Sequence, residues 1–520
     1  MPIVDVSLWD LERLVGASER EILNGLEYVK GEVEERAGDR LKIEVTHDRP
    51  DHFSAEGLAR TLKGILGVEE GLPKAIVEAG DVELRYEGTI EERPYAIMAV
   101  VRDLSLDDEA IVQMIQLQEK LHETYGRDRK KIAIGFYDLS KIKPPIFYKR
   151  VSQEDEYIPL GLDRPVKIKD MYEITDKGRR YSGLIRKEKP PALVDSNGQI
   201  MVVIPVLGSE CCKVTPSTKD VLIDVTGPHL DYLLKILSIL IYNLLERSKS
   251  RKVELVKING NYVTRLEPRR IHASRNAVNE MLGLDLDDRE FKALLRRARH
   301  EADGEWALVA PYRINVISWV DIAEDIAMMK GYNNVPREPP PVLTVGRRHR
   351  VEVTSEDARR ALLSLGFQEV MNGVLTYSTL LANFKLAYPA VANPVSERLD
   401  AVRSSLLPGL LYVVSSLKRP RAKLFEIGDV VVEGRTRRAV AVAMGGEGLT
   451  VTDGIMVFNH LCRSLGVECK MVNSSAPWCI EGRCAKIEGA FSGYIGEVSP
   501  EILVQHGVFV PVVLGELLID

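Results

Sequence analysis

"VDIAEDIAMMKGYNNVP" (residues 320–336) gathers Asp321, Glu324 and Asp325 into one helical turn. At about 3.6 residues per turn these positions share a face, while Ile322, Ile326 and Met329 form an apolar stripe about 100° around the same helix. Carboxylates that close repel unless a helix N-terminus, a basic partner or a bound cation offsets them. From spacing alone two readings stand: a hard oxygen site for magnesium or calcium, or an amphipathic helix starting near Trp319 whose acids favour the positive end of the macrodipole.

Around this helix the chain divides by composition. Its 520 residues exceed what one core supports. The expected domains are an α/β unit over residues 1–78, a larger mixed region over 79–255, a third unit over 256–338, and a last unit over 350–520 behind the Pro-rich "REPPPVLTVGRRHR". In the first, Ser54 is the expected N-cap of a helix running to about Leu66. The third holds two short helices, "RNAVNEMLG" and "DDREFKALLRRARH", then the strand-like "WALVAPYRINVIS", an order resembling a winged helix. The last alternates helices and short strands, which predicts an antiparallel sheet carrying helices on one face.

Charge excludes a general nucleic-acid coat, because 70 Lys and Arg stand against 76 Asp and Glu. The six cysteines form no CxxC pair and read as reduced thiols in a cytoplasmic protein. The start of the chain has no apolar leader, and "LLKILSILIYNLL" (233–245) is too short to cross a bilayer and reads as a buried helix. "THDRPDHFS" carries His47, Asp48, Asp51 and His52, the set a metal phosphohydrolase uses. Pro50 nevertheless biases Arg49 to extended geometry, which splays them through a turn. "AMGGEGLT" (443–450) lacks the phosphate-loop pattern and is expected to be a hairpin turn. No nucleophile elbow accompanies any serine.

Six ordered phrases, "HDRPDHFSAEGLARTLKGILG", "STKDVLIDVTG", "DIAEDIAMMKGYNNVP", "VANPVSERLDAVRSSLLPGLL", "LFEIGDVV" and "IGEVSPEILVQHG", resemble the β subunit of phenylalanine–tRNA ligase in its archaeal and eukaryotic form. The resemblance covers nearly the whole chain. It implies an α+β multidomain fold whose C-terminal domain is like a class II synthetase catalytic fold without the chemistry, and residues 350–520 contain no GxGxGxxR-like segment to clamp ATP. It also implies a heterotetramer of two α and two β chains. The α chain binds ATP and L-phenylalanine and charges the phenylalanine tRNA, and no membrane is involved. Arg403 and Glu426 are then structural or interfacial.

The same resemblance implies magnesium held at Asn315, Asp321, Glu324 and Asp325, with Asn315 an amide where the family has an acid and reaching in from the strand before the helix. It also implies an editing pocket that hydrolyses mischarged Tyr-tRNA in the 79–255 region, at "VLGSE", where Ser209 and Glu210 match the family and Gly208 replaces an Asn. Two other functions stay open: a free-standing aminoacyl-tRNA deacylase, and an RNA-binding scaffold paralogue, which the departures at Asn315 and Gly208 motivate.

Overall fold

Burial alternates along the first strand, Ile3–Ser7, with Val4 and Val6 inside, so its inner face needs a partner layer. In the computed structural model, which describes residues 1–340, 342–417 and 421–520, that strand pairs antiparallel with Arg40–Glu44 in a three-stranded sheet. The chain forms two compact units, Met1–Pro339 and Pro340–Asp520.

In the first unit lies a ten-stranded sheet; toward one edge, Val221–Gly227 pairs antiparallel with both Tyr95–Val101 and the edge strand Ala133–Asp138. Helix Leu230–Leu245 is apolar nearly all round and buries Leu233, Ile236, Leu237, Ile239, Leu240 and Ile241, as its composition requires. Among the described residues no helix is long and apolar enough to cross a membrane. One apolar core runs from Val4 to Met329, so residues 1–78, the large sheet and residues 256–332 share it. Residues 151–207 hold a smaller core of their own.

Helix Ala55–Ile65 is the hub, buried at almost every position. Two glycines permit this: a Cβ at Gly57 would lie 1.5 Å from the Asp51 carbonyl oxygen, and one at Gly64 would lie 2.2 Å from that of Arg297. The expected Ser54 cap does not form. Ser54 Oγ donates to Glu56 at 2.5 Å, and the Ala55 N–H is satisfied by Gln113 Oε1 at 3.0 Å, because a buried helix start finds its acceptor on a neighbouring helix.

Around the hub lies a buried ion network. Arg49 donates to both Asp51 oxygens at 2.9 Å, and Arg60 reaches Asp51 at 3.4 Å and Asn243 Oδ1 at 2.9 Å. Arg247 grips Asp10 through two bonds of 2.7 Å and Glu56 through a third of 2.7 Å. Arg313 donates to both oxygens of Asp325, at 2.9 and 2.7 Å. Arg49, Arg60, Arg247 and Arg313 thus stand against Asp10, Asp51, Glu56 and Asp325, and the buried formal charges cancel. Burial alone would push the Asp51 carboxyl up; Arg49 and its neighbours hold it far below the usual range. In "THDRPDHFS" His47 and Asp48 stay exposed while Asp51 and His52 are buried, so the four never converge.

The third segment departs from expectation at its strand, which covers only Trp306–Val309; Asn315 lies in the following turns. Pro311 and the Arg313 side chain, committed to Asp325, divert the backbone from the sheet.

In the second unit a seven-stranded sheet, antiparallel except where Gln368–Glu369 meets Ala422–Val432, carries helices on both faces rather than one. Along Arg435–Gly445, Ala439, Ala441 and Ala443 pack with helix Leu407–Ser416. Val440, Val442 and Met444 pack with helices Arg350–Ser364 and Val451–Ser464. Both faces of the strand are apolar, so each needs cover. The expected 443–450 hairpin is instead a strand-to-helix turn entering Val451–Ser464, whose Thr450 and Asp453 form a capping box. The cysteines are not all reduced: Cys479 and Cys484 are bonded, their Cα atoms 6.2 Å apart, within the roughly 4.4–6.8 Å that a disulfide spans. A register shift between these residues brings them together.

Asp51→Ala would leave Arg49 and Arg60 buried without their shared carboxylate. Calorimetry is expected to show the first unit destabilised by about 3–5 kcal/mol, the typical loss on breaking a buried ion pair from one side.

Candidate functional site

A cavity of about 240 Å³ opens beside the edge strand of the large sheet and its neighbour. Its walls come from helix Asp108–Glu123, strand Ala133–Asp138, strand Val221–Gly227 and the 205–209 segment. Ile111, Met114, Ile134, Leu160 and Val206 make it largely apolar, with Glu119, His122, Lys177 and Asp224 as polar points. An apolar cleft with few fixed polar groups suits a side chain that must be recognised at one atom.

Asp224 is that point. It pairs across the sheet with Gly135, and Tyr137 Oη donates to its Oδ1 at 2.5 Å. A Cβ at position 135 would lie 2.1 Å from Tyr137 Oη and 2.3 Å from Asp224 Oδ1, so only glycine leaves room for the pair. Burial pushes the Asp224 carboxyl up to about 7, against the Tyr137 hydrogen bond and the charge of Arg93. Tyr137 uses one carboxyl oxygen, which leaves the second to meet a ligand donor. The sequence carried a signal for this residue, a lone acid in the apolar "VLIDV", but its geometry lay out of view.

Arg129 shapes the opposite wall. Its guanidinium donates to the carbonyls of Pro205 and Val206 at 3.1 and 3.0 Å and to Glu119 at 2.9 and 3.2 Å, with the Tyr181 ring 4.4 Å beneath. His122 Nε2 accepts the Ile134 N–H at 2.9 Å; burial lowers its pKa to about 4 and keeps the ring neutral.

Of the three sequence-derived editing residues, Gly208 and Ser209 line the cavity and Glu210 does not. Glu210 accepts from the Gly161 N–H and from Lys213 Nζ, both at 2.9 Å. Ser209 Oγ donates to the Ile158 carbonyl at 3.0 Å and lies 2.9 Å from Cys211 Sγ, with no histidine or carboxylate bonded to it. A Cβ at Gly208 would meet nothing nearer than the Met201 carbonyl oxygen at 3.9 Å, so a larger residue fits there.

The acidic turn forms as helix Trp319–Lys330, but its side chains diverge. Asp321 Oδ2 accepts the N–H groups of Ile317 and Ser318 at 2.7 and 2.8 Å. Glu324 Oε1 accepts from Lys30 Nζ at 2.6 Å. Asp325 is buried between Arg313 and His300, and Asn315 Oδ1 accepts from Arg313 Nε at 3.1 Å. Among the described residues the one group of three acidic, histidine or cysteine side chains with ligand atoms within 4.8 Å of one another is Glu32, Glu34 and Glu44. Asn315, Asp321, Glu324 and Asp325 therefore do not fit a shared metal shell as they stand.

A family model for the phenylalanyl tRNA synthetase β chain CLM domain matches residues 335–519, and one for the tRNA synthetase B5 domain matches residues 271–332. The phenylalanine–tRNA ligase β subunit of Pyrobaculum aerophilum is 53% identical over 100% of both chains. The chain belongs to the phenylalanine–tRNA ligase β-subunit family. The subunit of that name from Thermofilum pendens is 39% identical over 100% of this chain and 98% of its own. A crystal structure of an N-terminal fragment of the Pyrococcus horikoshii phenylalanyl-tRNA synthetase β-subunit is 35% identical, with a TM-score of 0.60 over 64% of this chain and 100% of that one. The chain accordingly serves in the ligase class, in phenylalanyl-tRNA synthesis, as a β subunit of mixed α/β structure.

In this β-subunit family member, Arg403 and Glu426 are an internal pair. Arg403 also donates to the Asn372 carbonyl at 3.1 Å and the Asp429 carbonyl at 2.8 Å, while Asn372 Nδ2 donates to Glu426 at 2.6 Å. Nearby Glu516 accepts the Leu406 N–H at 2.6 Å and the Ser405 hydroxyl at 2.8 Å; burial pushes its carboxyl up to about 7.

Asp224 sets a pH dependence. Its folded pKa, about 7, lies above the ordinary 3.8, so its stabilising effect is full below 3.8 and is lost as pH rises through about 7. Asp224→Asn is expected to flatten the fall in unfolding temperature across that window, measured by thermal unfolding at a series of pH values.

Proposed function

We propose that this chain is the non-catalytic β subunit of a cytoplasmic heterotetramer, two α and two β chains, whose α subunit joins L-phenylalanine to its tRNA at the expense of ATP. Full-length similarity at 53% carries this reading. Magnesium enters with ATP on the catalytic partner. The C-terminal unit, a sheet covered on both faces, acts as a class II synthetase-like surface without catalytic groups. Residues 256–338 act as a winged-helix-like unit beside it in sequence, and tRNA contacts the N-terminal unit.

The cavity is proposed to deacylate mischarged Tyr-tRNA. Tyrosine differs from phenylalanine by one hydroxyl, and a pocket selects it by hydrogen-bonding that oxygen. Asp224 presents an acceptor inside an otherwise apolar wall. Ser209, with its proton on the Ile158 carbonyl, holds the 205–210 wall rather than attacking, so water is the nucleophile at the ester carbonyl and the ribose oxygen leaves with a proton. Glu210 holds the 161 loop against that wall. Gly208 leaves open the space a side-chain amide would fill.

Phenylalanine-dependent ATP–pyrophosphate exchange by this chain alone, the α chain alone and both together tests the first part. Exchange is expected only in the mixture, and exchange by this chain alone would refute it. Tyr-tRNA hydrolysis tests the second. Gly208→Asn is expected to raise the rate roughly two- to tenfold, the worth of one added hydrogen bond, and Asp224→Asn to cut selectivity against Phe-tRNA. Hydrolysis by this chain without its partner would favour the free-standing deacylase, since the cavity lies wholly within the first unit.

A further inference from the structure

The four side chains that the resemblance assigns to magnesium are all engaged, two of them by a single arginine. Arg313 donates from Nε to Asn315 Oδ1 at 3.1 Å and from Nη2 to both Asp325 oxygens at 2.9 and 2.7 Å. His300 Nε2 lies 2.8 Å from Asp325 Oδ2, and burial holds that ring's pKa below its ordinary value. Lys30 Nζ takes Glu324 at 2.6 Å, and backbone N–H groups take Asp321.

A magnesium ion demands near-octahedral oxygens at about 2.0–2.1 Å, which requires the acids to converge. Seating one on Asp325 would pull that carboxylate from Arg313. The guanidinium cannot shed its charge, and at 2% exposure it would be left buried and unpaired. The amide at position 315 suits this arrangement. It accepts from Arg313 without charge, so the guanidinium is balanced by Asp325 alone, whereas an acid there would leave the pair negative.

Lys30 is aimed by its backbone. It ends the short turn Glu27–Val29 in the left-handed region, φ 56°, uncommon for a residue with a Cβ, and the side chain so placed spans 294 positions of sequence to Glu324.

We infer that in this chain Lys30 and Arg313 stand in for the divalent cation, clasping residues 27–30 and the 310–318 turns to helix Trp319–Lys330. The neutral amide at position 315 and the internal cations belong to one arrangement, since Arg313 binds Asn315 and Asp325 together. The clasp rests on the proposed metal assignment only for its contrast; aminoacylation and editing do not enter its test.

The full chain is stripped with EDTA, titrated with Mn2+ followed by electron paramagnetic resonance, and melted in EDTA and in millimolar Mg2+. Wild type is expected to bind no stoichiometric Mn2+ and to unfold at the same temperature in both buffers. Lys30→Met is expected to unfold lower in EDTA, and Lys30→Met with Asn315→Asp to bind Mn2+ and regain temperature in Mg2+. One Mn2+ per wild-type chain with a lower unfolding temperature in EDTA would overturn the clasp, as would a Lys30→Met chain that melts like wild type. Should the variants fail to fold, the wild-type titration alone decides.

Discussion

The first unit depends on a buried ion network that must be neutral as a whole. Asp51 and Asp325 anchor its two ends, and Arg49, paired with Asp51, also feels the charge of Asp325. Two stretches that look like separate metal sites in sequence, "THDRPDHFS" and the acidic turn, are halves of this one structure. Arg60 lies between them, its guanidinium 4.0 Å from the Tyr312 ring centroid and bonded to the Tyr242 carbonyl and Asn243. A buried charge is tolerated when paired and hydrogen-bonded, and removal of one partner strands the other. The network therefore specifies which helices meet, while the apolar core from Val4 to Met329 supplies the gross driving force.

The cavity follows a different rule. Its one deeply buried acid, Asp224, has a hydrogen-bonding tyrosine but no paired cation, and its carboxyl titrates near neutrality for that reason. An acid kept poised in an apolar wall is a costly arrangement for a purely structural role. Elsewhere on the cavity wall, burial alone would raise the Glu119 carboxyl, and its interaction with His122, followed by the charges of Arg129 and Lys177, holds it ionised. The recognising acid thus sits on the sheet, and the charged groups on the helices and turns around it.

The second unit shows the same economy on a sheet. From Ala439 to Met444 the residues of strand Arg435–Gly445 alternate between two cores, and buried polar groups gather at a few points such as Arg403 with Glu426. In that cluster Glu426 is taken by Arg403 and Asn372, and Glu516 by the Ser405 hydroxyl and the Leu406 N–H.

Much was legible from the sequence. Helical spacing predicts Trp319–Lys330, and the apolar run at 233–245 predicts the buried helix Leu230–Leu245, because periodicity and composition decide local structure within a turn or two. Six ordered phrases were enough for the family, whose domain models and relatives agree. Tertiary structure alone decided which partner each charge meets. Lys30 with Glu324 and Arg247 with Asp10 join positions that no local pattern links, and the Cys479–Cys484 bond depends on a register shift in the sheet. Likewise the second helical layer on the C-terminal sheet and the strand-to-helix turn at 443–450 follow from which apolar faces find cover. Pairing energies depend on distance and burial in the folded chain, and neither is a property of sequence spacing.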